Sequence, residues 1–457
     1  MKFFKKYSFW FICLGIAVLY FFTRFYNILA LPLFTDEAIY VRWAQIASND
    51  AAWRFISLTD GKQPMFVWIA MVLMKVIEEP LLAGRVVSVL AGIGSMVGLF
   101  FLTNELFKNR KIALLASFLY VLYPFSLVYD RMALYDSLVS MFIIWSLFFE
   151  ILLVRYKRLD IALILGMIIG GGMLTKTNAN FAFILLPFLL LLIDYKKKIW
   201  KQDILKLTGL SLVSLVVANA MYAVLRLSPF FYIIEEKNYV FIYPFIEWIN
   251  HPFTFFIPNI TALSEWTLVY LSLPFFVLVL SAFLVGKKHW KEKLLLFVWF
   301  IVPFVISALF FKLAYPRHIL FTTMPLLILG AYALYHLVRF APKMWLKVMI
   351  PIVFLVTFVF NDYFIITDFN KASVPQTDKG QFVQGWPSGL GVKETVAFLE
   401  EQAKDQDIYV ATAGTFGLMP YALEIYLVDN PNVTIKGFWP IDSTIPEEVI
   451  KASKTMP

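Results

Sequence analysis

Two adjacent carboxylates, Asp36 and Glu37, stand near the start of the chain and are followed by Arg42, one helical turn after Glu37. Such a pair can form a functional acidic site, in which Arg42 is placed to hold the two acids in position. Acids also favour helix N-termini, where Thr35 would act as the N-cap. The local pattern leaves both interpretations open.

Two further charged clusters could take part in chemistry. Lys62 lies in the sequence Asp-Gly-Lys-Gln-Pro, just before an apolar run, where a lysine either binds a ligand or extends its ammonium group to lipid headgroups. Asp136 opens a predicted apolar helix, where an unpaired carboxylate is costly. Arg131 is its natural partner, so a structural ion pair is the alternative to a functional acid.

The composition places these residues in a polytopic helical membrane protein. Hydrophobic residues make up 60% of the 457 residues and charged residues only 16%, which is more apolar surface than a soluble protein can bury. The net charge of +9 is explained by loop lysines that face anionic lipids, so no nucleic acid is expected as a partner. Because Cys13 is the only cysteine, the chain cannot form an internal disulfide.

Apolar segments of about 20 residues predict transmembrane spans. We predict eleven of them, at residues 7–25, 81–104, 112–129, 137–154, 161–175, 179–193, 205–225, 267–286, 294–311, 319–337 and 345–361. Roughly half of the 40 Lys and Arg residues then fall in short loops on one side. The positive-inside rule makes that side cytoplasmic, so the N-terminus is inside and the tail outside. A bacterial plasma membrane is the expected location.

The remaining sequence predicts one long external loop and a C-terminal domain. Residues 64–77 are apolar but too short to span, so residues 26–80 form an external loop with two membrane-lying helices, at 36–48 and 64–77. Residues 362–457 alternate helix-like and strand-like runs, which indicates a small extracytoplasmic α/β domain whose completeness stays open. The predicted fold class is thus an all-α polytopic membrane protein, residues 1–361, with this α/β domain after it.

The order and sidedness of these motifs resemble the GT-C membrane glycosyltransferases, in particular the protein O-mannosyltransferases and the lipid A aminoarabinose transferases. The resemblance covers residues 1 to about 361. The matching motifs are Asp36-Glu37 in a long outer loop, Lys62-Gln63-Pro64, the Arg131 and Asp136 pair after the third span, Leu174-Thr175-Lys176-Thr177 and Tyr315-Pro316-Arg317-His318. Thr177 and His318 depart from the Gly and Tyr of the family pattern.

The resemblance implies an inverting transfer from a sugar on polyprenyl or dolichyl monophosphate to a hydroxyl group outside the cytoplasm. Asp36 would be the base, because the acceptor hydroxyl must lose its proton as the new bond forms. Glu37 would support it, and Asp136 would help to bind the sugar or the acceptor. The leaving phosphate needs positive charge. Its candidate ligands are Lys62 and Arg317, with Arg131 and Lys176 behind them.

The sequence is also compatible with other functions. A transferase of lipid-diphosphate oligosaccharides, which usually uses a divalent metal, is the main alternative, and a transporter or flippase is the second. The four histidines lack metal-ligand spacing, so we expect no metal or other cofactor and keep a divalent metal as the less favoured option. The acceptor is a protein, a lipid or a glycan. The enzyme hypothesis requires the early acidic pair, Lys62 and Asp136 to converge on one cavity at the outer face.

Overall fold

The computed structural model describes residues 2–251, 253–286, 288–441, 444–454 and 456. These residues are predominantly α-helical. Helices suit so apolar a sequence because a helix satisfies its backbone hydrogen bonds within one segment, without water.

The helices of the first half are α1 (Lys2–Phe25), α2 (Thr35–Asn49), α3 (Met65–Leu73), α4 (Pro80–Phe107), α5 (Arg110–Leu122), α6 (Pro124–Asp130), α7 (Tyr135–Tyr156), α8 (Leu159–Met173), α9 (Phe181–Leu185) and α10 (Trp200–Tyr222). They are followed by α11 (Ile233–Phe241), α12 (Phe245–Asn250), α13 (Phe256–Leu271), α14 (Leu273–Ser281), α15 (Trp290–Phe310), α16 (Leu320–Phe340) and α17 (Met344–Thr367). The C-terminal part contains α18 (Gln376–Lys379), α19 (Val392–Gln402), α20 (Leu418–Leu427) and α21 (Glu447–Ala452). The strands are β1 (Leu33–Phe34), β2 (Ser388–Gly389), β3 (Ile408–Ala413) and β4 (Val433–Phe438).

Every predicted span coincides with a helical segment, but these segments differ in length. In the described residues, six helices are long and apolar enough to cross a membrane, or up to eight if two bent pairs each count as one span. The three other predicted spans coincide with shorter apolar stretches, which are Phe9–Phe25 within α1, Leu159–Met173 and Thr177–Leu192. By length and composition the described residues therefore contain six to eight candidate spans, compared with the eleven predicted.

The two bent pairs have a local cause. The α5–α6 pair bends by 61° and the α13–α14 pair by 92°. Pro124 begins α6 and Pro274 lies in the first turn of α14; proline donates no backbone hydrogen bond and disfavours a helical conformation for the residue before it. Ser272, between α13 and α14, also has a φ of +58°. Each apolar run is thus divided into two helices.

The helices form one bundle around α16, which is buried over most of its length. Two helices approach closely at Gly166 of α8, where an added Cβ would lie 2.6 Å from the Cβ of Val217 in α10. We call the end of the bundle where α7 and α16 begin and α8 ends the site face. The loops that carry the basic clusters lie at the opposite ends of these helices.

The predicted helices of residues 26–80 are present as α2 and α3, but the start of α2 differs from the prediction. Thr35 is the first helical residue and not the N-cap, and its hydroxyl donates a 2.8 Å hydrogen bond to the carbonyl oxygen of Pro387. The backbone N–H of Phe34 instead donates to the carboxylate of Glu37 at 3.0 Å. Glu37 therefore satisfies a free donor at the helix start, as in one half of a capping box.

The C-terminal part contains the small sheet that its sequence predicts. Strands β3 and β4 pair in parallel, from Ile408 opposite Val433 to Ala413 opposite Phe438; α20 packs beside them, and α19 packs against α20. Two observations modify the predicted organisation. Helix α17 continues to Thr367, beyond the boundary at residue 361, and β2 pairs antiparallel with β1 of the long loop.

Candidate active site

A cavity of about 300 Å³ lies at the site face. Its walls come from the start of α2, the loop before α3, the start of α7, the loop after α8, helix α11 and the turn before α16. Five of the eight residues that the sequence singles out line it: Asp36, Lys62, Asp136, Lys176 and Arg317. The catalytic and binding roles of these residues stay predictions.

Asp36 and Arg317 form an ion pair at this cavity. The Nη2 atom of Arg317 lies 2.9 Å from Oδ2 of Asp36. The guanidinium group also lies over the rings of Phe34 and Tyr315, with its central carbon 5.2 Å and 4.9 Å from the ring centroids. Asp36 is one-quarter exposed to the cavity, whereas Arg317 is largely buried behind it.

Asp136 pairs with Lys176 and not with Arg131, contrary to the sequence interpretation. The Lys176 Nζ atom lies 2.6 Å from Asp136 Oδ1, although 40 residues separate them. This pairing is possible because α7 begins and α8 ends at the same face. Asp136 is almost completely buried, so its charge requires this partner.

A third ion pair, between Asp60 and Lys237, closes another wall with an Oδ1–Nζ distance of 2.5 Å. Between Asp60 and Lys62 the chain turns at Gly61, whose φ is +66°. An added Cβ at Gly61 would lie 2.5 Å from the Cβ of Lys237 and 2.7 Å from the Ile233 carbonyl oxygen. Glycine is therefore required both by the backbone conformation and by the close approach of α11.

Lys62 is the cavity cation that takes part in none of these three ion pairs. Among the described residues no carboxylate oxygen lies within 4.0 Å of its Nζ atom, which instead lies 5.2 Å from the centroid of the Phe241 ring. Burial lowers the pKa of Lys62 to about 8, although the charges of Asp36 and Asp60 oppose this effect. Lys62 is thus a partly desolvated cation that pairs with no carboxylate of the described residues.

Aromatic rings form much of the remaining wall. Tyr40 and Tyr135 contact edge to face with centroids 4.5 Å apart, and Tyr135 also contacts Phe66 at 5.1 Å. Among the described residues, the buried hydroxyl of Tyr135 has no hydrogen-bond partner. His318 lies at the end near α11, edge to face with Phe241. Such walls exclude water and strengthen the electrostatic interactions inside the cavity.

Glu37 lies outside the cavity and has a structural environment. It is completely buried and accepts hydrogen bonds from Arg85 Nε at 2.9 Å, from Arg85 Nη2 at 2.8 Å and from the backbone N–H of Ala133 at 2.7 Å. Arg85 also donates to the carbonyl oxygens of Ile28, Leu31 and Pro32. The pair therefore joins the long loop to α4 and to the loop before α7.

Arg131 also lies away from this cavity. Its guanidinium group donates to the carbonyl oxygens of Thr23, Tyr26 and Asn27, at 2.7, 2.7 and 2.9 Å. These carbonyl groups belong to the end of α1 and the turn after it, where helix oxygens lack partners. Arg131 thus completes the C-terminus of α1 and does not contact Asp136.

Arg42 does not hold the acidic pair. Its Nε atom lies 2.7 Å from a carboxylate oxygen of Glu424 in α20, and the amide of the nearby Gln45 donates to the carbonyl oxygen of Ile425 at 2.9 Å. The residue docks α2 onto the C-terminal part of the chain. The sequence predicted that Arg42 would hold both acids. In the structure Arg317 pairs with Asp36, and Arg85 pairs with Glu37.

Sequence reasoning did not select two charged residues of the site. Asp60 belongs to the cluster before Pro64, and its carboxylate could have been chosen together with Lys62. Lys237 lies on a predicted external loop without a recognisable motif, so no local signal marks it. The described residues contain no group of three or more His, Cys, Asp or Glu side chains that could hold a metal ion, and the expectation of a metal-free site stays untested.

Comparison with known proteins bears on this arrangement. Residues 61–222 match the family model of the dolichyl-phosphate-mannose-protein mannosyltransferases. No curated protein matched the sequence significantly. Among solved structures, the chain is similar to ArnT from Cupriavidus metallidurans bound to undecaprenyl phosphate, with a TM-score of 0.61 and 14% identity over 97% of this chain and 87% of that chain.

The chain has a GT-C fold.

Two structures of the oligosaccharyltransferase from Archaeoglobus fulgidus are also similar. One is tethered to an acceptor peptide, with a TM-score of 0.61, 13% identity and coverage of 95% of this chain and 64% of that one. The other is AglB in complex with an inhibitory peptide and a dolichol-phosphate, with a TM-score of 0.58, 12% identity and coverage of 94% of this chain and 65% of that one. The chain thus spans less than two thirds of this enzyme. At these sequence identities the similarity shows a shared fold. It confirms the resemblance to GT-C enzymes that the motifs indicated.

Proposed function

We propose that this integral membrane protein is a glycosyltransferase that moves a monosaccharide from a polyprenyl-phosphate donor to a hydroxyl group at the outer membrane face. The observation that carries the proposal is the charge balance of the cavity. Three carboxylates, of Asp36, Asp60 and Asp136, meet four cations, of Lys62, Lys176, Lys237 and Arg317. Three ion pairs form, and Lys62 remains for an anion.

One surplus positive charge matches the chemistry of a lipid-phosphate sugar. The phosphodiester of such a donor carries one negative charge. When the bond between the anomeric carbon and the phosphate oxygen breaks, its electron pair stays on the lipid phosphate, whose negative charge increases. Lys62 and Arg317 are the cations placed to stabilise that developing charge in a partly dry site.

The acceptor requires a base on the other side of the sugar. In the proposed mechanism the hydroxyl oxygen attacks the anomeric carbon opposite the departing phosphate, which inverts its configuration. The hydroxyl proton passes to the carboxylate of Asp36, the partly exposed member of its ion pair. When Arg317 contacts the lipid phosphate as well, Asp36 becomes a stronger base. Asp136 and Lys176 would contact the sugar or the acceptor.

The comparisons support a lipid-phosphate donor. The similar ArnT structure is bound to undecaprenyl phosphate, and the similar AglB structure contains a dolichol-phosphate. The matching family is named for dolichyl-phosphate-mannose. The distribution of basic loops supports an extracytoplasmic site face.

Two other functions fit less well. A lipid-diphosphate oligosaccharide brings more negative charge than one surplus cation balances, so that reaction would need an added metal ion. A transporter or flippase would use ionisable groups deep in the bundle. Glu150 is such a group, since it is buried and its carboxylate has no hydrogen-bond partner among the described residues. It lines neither of the two cavities of about 300 Å³.

The test is a transfer assay with the purified protein in detergent and a panel of polyprenyl-phosphate sugars. We expect one of them to release free lipid phosphate in the presence of a hydroxyl acceptor, with and without a metal chelator. Release from lipid-diphosphate oligosaccharides alone would favour the first alternative. Movement of labelled lipid across vesicles without any sugar transfer would favour the flippase.

A further inference from the structure

We infer that residues 376–389 of the C-terminal part, here called the clamp segment, position both members of the Asp36–Arg317 pair, and that Gln381 is the positioning residue for Arg317. The inference rests on the proposed function, in which these two residues act on the acceptor and the donor phosphate. It extends the site to a part of the chain that lies outside the matched family model.

The clamp segment first fixes the backbone just before Asp36. Strand β2 pairs antiparallel with β1, so that Leu33 lies opposite Gly389 and Phe34 opposite Ser388. The backbone N–H and the hydroxyl of Thr35 both donate to the carbonyl oxygen of Pro387, at 3.0 Å and 2.8 Å. The three residues that precede Asp36 are therefore all hydrogen-bonded or paired with one stretch of the clamp segment.

The clamp segment also contacts Arg317. The Oε1 atom of Gln381 accepts a hydrogen bond from Arg317 Nη1 at 3.4 Å, while Arg317 Nη2 donates to Asp36 at 2.9 Å. The two terminal nitrogens of the guanidinium group are thus held by two different segments. Because the group is planar and rigid, two such contacts define its orientation.

Buried contacts anchor the clamp segment in the bundle. The carboxylate of Asp378 is completely buried and accepts hydrogen bonds from the hydroxyls of Tyr129 at 2.8 Å and of Tyr270. Phe382 is also completely buried and meets the Phe34 ring edge to face, with centroids 5.1 Å apart. Residues 378 and 382 lie on either side of Gln381, so its amide has little freedom to move away from Arg317.

Gln381 is a positioning residue because it does not line the cavity. We therefore expect an effect of Gln381 on the donor to pass through Arg317, the cavity residue that its side chain contacts. This distinguishes it from a residue that only stabilises the fold, whose replacement would act independently of Arg317.

A double-mutant cycle on lipid binding tests the inference. Gln381→Leu keeps the side-chain volume and removes the acceptor oxygen. Arg317→Lys keeps the positive charge and removes the planar guanidinium group. The third variant combines both changes. Undecaprenyl phosphate is the probe, so the assay requires no sugar transfer. Gln384→Ala is the matched control, since Gln384 lies in the same segment, is exposed and contacts Gln376 instead.

We expect Gln381→Leu to weaken binding of undecaprenyl phosphate by about fivefold in the wild-type background, as loss of a long hydrogen bond to a charged group implies. In the Arg317→Lys background the same change should weaken the affinity for undecaprenyl phosphate by less than twofold, because the effects of substitutions at two coupled residues are not additive. Gln384→Ala should leave the affinity unchanged. Gln381→Met is measured in parallel, and melting temperatures verify that each variant is folded.

Equal losses in both backgrounds, or no loss for Gln381→Leu and Gln381→Met, would overturn the inference while leaving the transferase proposal intact. A different result would refute the transferase proposal: the cycle shows clear coupling between Gln381 and Arg317, and the wild-type protein binds undecaprenyl phosphate but releases no lipid phosphate from any donor. The positioning of Arg317 by Gln381 would then still stand.

Discussion

Arg317 Nη2 lies 2.9 Å from Asp36 Oδ2, although 281 residues separate the two in the chain. The pair joins the beginning of α2 to the turn before α16, and both side chains reach the same cavity. Arg317 therefore neutralises the carboxylate that we propose as the base. In the proposed reaction the donor phosphate would compete for Arg317, which would couple donor binding to the basicity of Asp36.

Asp36→Asn should abolish transfer without loss of the fold. We expect the turnover rate to fall by about 10²- to 10⁴-fold, the usual contribution of a general base. Affinity for undecaprenyl phosphate should be unchanged or higher, because Arg317 loses its competing carboxylate. Asp50→Asn, an exposed carboxylate change in the same loop, serves as the control. Substantial turnover by purified Asp36→Asn would remove the base assignment.

The efficiency of transfer should depend on the charge of Lys62. Because burial lowers its pKa to about 8, the ammonium form predominates below pH 8 and is lost as the pH rises through that value. The phosphate requires the charged form, so kcat/KM for the donor should fall above pH 8. In Lys62→Arg, whose side chain stays charged, this fall should disappear. An identical alkaline profile for the two proteins would contradict a phosphate contact at Lys62.

Glu37→Gln should impair folding rather than catalysis. The change leaves Arg85 as an unpaired charge at a completely buried position, which destabilises a protein by about 3–5 kcal/mol. Thermal unfolding in detergent would show a lower melting temperature, while lipid binding per folded molecule stays normal. The exposed Glu78→Gln is the control. A normal melting temperature combined with lost turnover would instead return Glu37 to the catalytic residues.

Arg42→Ala should loosen the contact between α2 and α20. The side chains of Arg42 and Glu424 are 13% and 20% exposed, so their ion pair contributes about 1 kcal/mol or less. We expect a small decrease in melting temperature, a similar decrease for Glu424→Ala, and no further decrease in the double variant. Turnover should stay within twofold of the wild-type rate. A large loss of turnover would support the original interpretation, in which Arg42 holds the acidic pair.

The membrane helices and the motif residues could be predicted from the sequence because both depend on local patterns. Long apolar runs locate the helices, and alternating basic loops place Asp36, Lys62 and Asp136 at the same end of the bundle. The structure agrees, since all three line one cavity. The extent of each membrane helix could not be predicted as well, because composition does not reveal where prolines divide an apolar run.

Ion-pair partners could not be predicted, since they depend on which helix ends meet in space. Arg131 is five residues from Asp136, yet it points back to the end of α1, and Lys176 takes the partner's place. Arg42 is similarly close to Glu37 in the sequence but pairs across to α20. In both cases a distant residue forms the pair because tertiary packing places it nearer.

The role of the clamp segment also escaped prediction. Strands β1 and β2 have only two residues each, too few for a periodic pattern, and the sequence indicated a separate domain after residue 361. Gln381 belongs to no motif. Its position becomes meaningful only when Arg317 is seen beside it.

The pairing of β1 with β2 has a consequence for biosynthesis. Asp36 leaves the ribosome well before the strand that fixes the backbone in front of it, because that strand is made more than 350 residues later. The bundle can insert and pack while this loop still lacks its partner. The proposed catalytic geometry is therefore completed only after residue 388 has been made, and we expect a nascent chain that stalls before this residue to be membrane-inserted yet inactive.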